Sequence, residues 1–114
     1  RYFGAGDGLT PAFDDFFTGL LLADRFTGND FIRTNADFFS VLKLKTTLPS
    51  WWQLQFAGQG KSARIIELFL ANLLTGEPYK RSLLECLSIG HTSGATILYG
   101  ICFFLSVLDP PKCE

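Results

Sequence analysis

The chain has 114 residues, 47% of them hydrophobic and 18% charged, which fits one apolar-rich globular domain and excludes a disordered or fibrous segment. Ten Lys and Arg stand against eleven Asp and Glu for a net charge of −1, so no basic footprint points to nucleic acid. Twelve Phe imply a bulky core or a partner surface.

The chain opens on "GAGDGLTPAFDDFFTGLLLA" (residues 4–23), a glycine-rich segment ahead of an apolar run that carries two adjacent aspartates. Thr10 is a good N-cap and Pro11 fits the first helical position, so a helix is predicted from Pro11. Phe13, Phe16, Phe17, Leu20 and Leu21 follow the spacing of a core-facing stripe. At 100° per residue Asp14 falls at the edge of that stripe and Asp15 nearly opposite, on a face shared with Gly19 and Leu22. A glycine there lets another helix come close, so this second face is also a packing candidate. Asp24, near the end of the same helix, reads as a control position for the two acids.

"TGND" (residues 27–30) is turn chemistry, and residues 31–44 read as a weaker helix with Phe38, Phe39, Val41 and Leu42 inward. A short helix is predicted from about Pro49, capped at Thr47, with a glycine exit through Gly58 and Gly60. Ser62 reads as the cap of the next helix, which ends at Gly76 in the position that a left-handed C-cap prefers. Another helix is predicted from Pro78 to Gly90, with Tyr79, Leu83 and Leu87 as its apolar row and Arg81 paired to Glu85. The last runs from near Ser93 to Leu108, before Pro110 and Pro111. No stretch alternates with period two long enough to compete as a strand. The expected fold is all-α, a compact bundle of about six helices in a single domain, 1–114.

Cys86, Cys102 and Cys113 are odd in number, and the first two lie among apolar residues, which fits reduced core thiols and a cytoplasmic location. The longest apolar run, "ATILYGICFFLSVL", has 14 residues. It falls short of the roughly 18 to 20 that span a bilayer, and is expected as a buried helix without a membrane role. No secretory signal is read at the start. Arg1 opens a chain that contains no Met, so a longer parent product is expected.

"SIGHTSGATILYGICFFL" (residues 88–105) has the plan of the opening stretch: a glycine-containing loop, a Thr or Ser cap, then a helix with a glycine one turn in. Setting Gly100 against Gly19 puts Thr96 against Asp15. Two such glycine-loop/helix units form a pseudo-repeat whose helices could meet glycine to glycine, with the carboxylates bordering a pocket between helix N-termini. The alternative is that two helices merely share capping chemistry.

These segments resemble the AllH-like family, described as a subunit of oxamate carbamoyltransferase. Its members carry a stretch similar to "GLGPGLTPSGDDFLAGLL", then TT-x-x-S followed by A-x-x-G, then "GHSSG" ahead of an Asp and a Gly. Here the corresponding residues are 4–21, then Thr46, Thr47, Ser50, Ala57 and Gly60, then 90–100. Family chains are longer, and the match looks like the C-terminal half. Asp7 replaces a proline, Ala12 a serine, Phe13 a glycine, and Thr96 stands where members usually carry Asp. The resemblance implies a role in allantoin degradation within purine catabolism, with carbamoyl transfer between oxalurate and phosphate giving oxamate and carbamoyl phosphate.

Candidate catalytic residues are Asp14, Asp15 and His91. Gly6, Gly8, Thr10, Thr46, Thr47, Ser50, Thr92, Ser93 and Gly94 are candidate ligand-binding residues, since helix N-termini with free glycine N–H groups favour anions. Each has a plainer reading. The aspartates could be first-turn acids, His91 a hydrogen-bonded structural residue, and Thr46, Thr47 and Ser50 caps. Trp51 and Trp52 read as core or interface. With no Ser, Cys or His nucleophile constellation, positioning and electrostatic stabilisation are the expected mechanism. The cofactor is unknown, with a divalent cation such as magnesium as the candidate to offset the acids. Expected partners are a small anionic substrate and other subunits or an upstream half, in an oligomer. The competing reading is a non-catalytic helical assembly module.

Overall fold

The structure is a computed structural model that describes residues 12–32, 36–90 and 92–108. Among these residues six helices follow in order: α1 (Ala12–Thr27), α2 (Ala36–Lys43), α3 (Leu48–Gly58), α4 (Arg64–Thr75), α5 (Lys80–Leu87) and α6 (Ser93–Leu108). Among the described residues there is no strand, and the fold is an all-α bundle. No helix among them is long and apolar enough to cross a membrane.

Helix α1 is the centre, packing most extensively on α6 and next on α3. The deepest face is the one that carries the acids: Asp14, Thr18, Leu21, Leu22, Ala23 and Asp24 are fully buried and Asp15 nearly so. Phe13, Phe16, Phe17 and Leu20 of the predicted stripe are only half-buried. Two apolar neighbours explain the reversal. A helix flanked on both sides buries both, and the glycine side allows the closer approach. A Cβ on Gly19 would lie 2.1 Å from the Ile97 carbonyl oxygen, and one on Gly100 2.1 Å from that of Phe16. The helices therefore meet backbone to backbone at this point.

Local chemistry sets several boundaries. Thr47 caps α3 by accepting the Ser50 N–H at 3.3 Å, with Pro49 in the first turn. Gly76 closes α4 with φ of 78°, the left-handed conformation that glycine adopts without a Cβ penalty. The N-cap of α4 is Ala63 and not Ser62, whose N–H instead donates to Glu67 Oε2 at 2.8 Å.

Other expectations shift. The second helix is shorter than residues 31–44, with Leu42 buried but Val41 exposed, because residues 31 and 32 are drawn back to α1. In α5 the buried residues are Ser82 and Cys86, while Tyr79 and Leu87 are exposed. The helix turns its small side chains to α4 and α6, where a Cβ on Gly94 would meet the Cys86 carbonyl at 1.8 Å. Among the described residues the ion pairs are those of Arg25 with Asp24 and Asp30, and Arg81 and Glu85 form none. The buried residues of α6 are Gly94, Ile97, Leu98, Gly100 and Ile101, with none beyond Ile101. Tyr99, Cys102, Phe103, Val107 and Leu108 are exposed, which corrects the expectation of a wholly buried helix and of Cys102 as a core thiol.

Candidate functional site

Asp14 and Asp15 lie in the first turn of α1, where the helix dipole favours negative charge, yet both are buried and must be paired. Their described partners come from the start of α3. The hydroxyls of Thr46 and Ser50 both donate to Asp14 Oδ2. Gln53 Nε2 donates to Asp15 Oδ1 at 2.8 Å and to Thr18 Oγ1 at 3.1 Å, and Thr18 Oγ1 in turn donates to the Asp14 carbonyl at 2.8 Å. Ser50 is fully buried, and Thr46 and Gln53 are partly exposed.

This arrangement follows from helix direction. Asp14 meets Ser50, Thr18 meets Gln53, and near the other end Arg25 meets Gly58, so α1 and α3 run the same way with their N-terminal turns side by side. The cluster is thus a meeting of the two helix starts. Both hydroxyl protons are committed to the carboxylate, which leaves the Thr46 and Ser50 oxygens as acceptors toward any third group.

Of the predicted residues, Asp14, Asp15, Thr46 and Ser50 come together, and Thr47 beside them serves as the α3 cap. Gly6, Gly8, Thr10 and His91 lie outside the described residues. Thr92 is exposed, and its carbonyl accepts the Thr96 N–H and hydroxyl, each at 3.0 Å. Ser93 is half-buried, and Gly94 is buried with its N–H donated to Ile89 at 3.1 Å. Gln53 and Thr18 were not read from the sequence. Their signal is weak but present: Gln53 is one turn from Ser50 and Thr18 one turn from Asp14, so each shares a face with a predicted residue.

Asp24 is no innocent neighbour of the pair. It is fully buried, its Oδ1 accepts the Phe31 N–H at 2.8 Å, and its Oδ2 accepts the Ile32 N–H at 2.8 Å and Arg25 Nη1 at 2.7 Å. Among the described residues no three His, Cys, Asp or Glu side chains converge as a metal-ligand set.

Fold and cluster together define a helical protein with buried, hydrogen-bonded carboxylates where two helices begin. The family model described as "Oxamate carbamoyltransferase subunit AllH" matches residues 2–105, and the chain belongs to that family. No solved structure matches it.

Proposed function

We propose that this carbamoyltransferase-family subunit binds a small anion, of the oxalurate, oxamate and phosphate class, at the N-terminal turns of α1 and α3. The observation that carries the reading is the buried Asp14 carboxylate that gathers the Thr46 and Ser50 hydroxyls. With their protons turned to Asp14, those oxygens suit the N–H donors of a carbamoyl or oxamate amide, while the carboxylates disfavour an anionic group at the same spot. The anionic end of the ligand is assigned to Gly6, Gly8 and Thr10 and to Thr92 and Ser93, on their residue chemistry alone. Gly94 is left out of that donor set because its N–H is committed to Ile89. His91 is proposed as the proton carrier, on its near-neutral intrinsic pKa. Catalysis on this reading is orientation and electrostatic stabilisation without a covalent intermediate.

Isothermal titration of the protein with oxamate, oxalurate and phosphate, with and without magnesium, tests it. Asp15→Asn should weaken binding tenfold or more, a loss of about 1.4 kcal/mol, with helix content retained. Asp37→Asn, an exposed acid in the first turn of α2, should bind as the parent does. Equal binding by Asp15→Asn and the parent, or unfolding of Asp15→Asn, would make the carboxylate structural.

A second reading is favoured by the exposed apolar rows Leu48, Trp52 and Phe56 on α3 and Tyr99, Phe103 and Val107 on α6. On it the chain is an assembly module that docks other subunits, and it is compatible with the first.

A further inference from the structure

We propose that Arg25, oriented by Asp24, is a positioning residue for the Asp14 and Asp15 cluster: it pins the far end of α3 and so sets the aim of Ser50 and Gln53. This rests on reading that cluster as the ligand site. Helix α3, "LPSWWQLQFAG", has apolar residues on every side, with Leu54 and Ala57 buried and Leu48, Trp52 and Phe56 exposed. Burial alone therefore defines its rotation poorly. Other rotations would cover as much apolar surface, and directional polar bonds must choose among them.

Arg25 supplies such a bond. Its Nε donates to the Gly58 carbonyl at 2.7 Å, at the C-terminal turn of α3, where carbonyls lack intrahelical partners and the dipole favours a cation. The guanidinium is itself locked. Nη1 lies 2.7 Å from Asp24 Oδ2 and 3.4 Å from Asp30 Oδ1, and Asp24 is held by the Phe31 and Ile32 N–H groups. Ser50 and Gly58 are eight residues apart, about 12 Å along the axis, so a small tilt or rotation at Gly58 displaces Ser50 and Gln53 by a sizeable part of a hydrogen-bond length. Misplacement of that order is enough to lower function by large factors. Lysine keeps the charge of Arg25 but lacks the planar fork that reaches Gly58 and Asp24 together.

The test follows the side-chain amide resonances of Gln53 by nuclear magnetic resonance in the parent, in Arg25→Lys, and in Ile66→Val, a core trim on α4 that controls for lost stability. Arg25→Lys should move the Gln53 resonances and weaken oxamate binding tenfold or more at unchanged helix content, whereas Ile66→Val should do neither. Should Arg25→Lys fail to fold, Asp30→Asn, which removes only the exposed outer partner, should move the same resonances by less. Unmoved Gln53 resonances in a folded Arg25→Lys or in Asp30→Asn would overturn the positioning role. Moved resonances in a protein whose parent binds none of oxamate, oxalurate or phosphate would uphold the positioning and sink the ligand-site reading.

Discussion

Gly19 of α1 and Gly100 of α6 face each other where the two helices meet backbone to backbone: a Cβ built on Gly19 would stand 3.0 Å from the Gly100 Cα, and one on Gly100 3.1 Å from the Gly19 Cα. In a helix interior, alanine is ordinarily favoured over glycine by roughly 0.8 to 1 kcal/mol. Here the added methyl meets backbone atoms, which can yield only if the helices move apart. Gly19→Ala and Gly100→Ala should each destabilise the fold by about 1 to 3 kcal/mol or more, measured by chemical denaturation. A gain in stability from either would show that the approach is looser than described.

Helix position makes Asp24 a control for Asp15, but its burial and its three hydrogen bonds disqualify it. Asp24→Asn removes a buried charge that holds two N–H groups and Arg25, and should cost on the order of 3 kcal/mol. A melting curve that superimposes on the parent's would refute the anchoring role.

Burial, and secondarily the charge of Glu85, pushes the Cys86 thiol above its ordinary value of 9.0. The unfolded chain therefore loses this proton first. Stability from the neutral thiol is fully present below about pH 9 and declines as pH rises through the folded-state value. Cys86→Ala should be less stable near neutrality, since it empties buried volume, and should lose less further stability between pH 8 and pH 10 than the parent does, both read by denaturation at stepped pH. Parallel slopes for the two proteins would contradict the assignment.

Tyr99 and Val107 are 66% and 63% exposed on a helix that carries no charged residue. Replacing both with Lys should cost within about 0.5 kcal/mol at Val107 and about 0.5 to 1.5 kcal/mol at Tyr99, whose ring lies 5.5 Å from that of Phe16. If this face docks another subunit or copy, the same change should shift sedimentation toward the monomer. An identical sedimentation profile for variant and parent would remove α6 from the interface.

Much of the fold was legible because caps, turns and periodicity are local. Thr47 at the start of α3, Gly76 at the end of α4, and Ser93 to Leu108 as α6 follow from backbone chemistry within a few residues. The residues that resemble the family motif likewise include Asp14, Asp15, Thr46 and Ser50, which the fold brings together. What periodicity could not rank was two competing faces of α1. A stripe of Phe outweighs a face with two acids and a glycine on any hydropathy scale, yet the glycine lets α6 approach until that face is the more buried one. Pairing was equally out of reach, since Asp14 finds Ser50 and Arg25 finds Gly58 across more than thirty residues, and helix order alone does not say which helices lie side by side. By itself the sequence determined that the chain is helical and where several of its helices start or stop. Tertiary structure decided which carboxylate each hydroxyl serves, because a hydrogen bond needs an approach within about 3 Å and only packing brings distant turns that near.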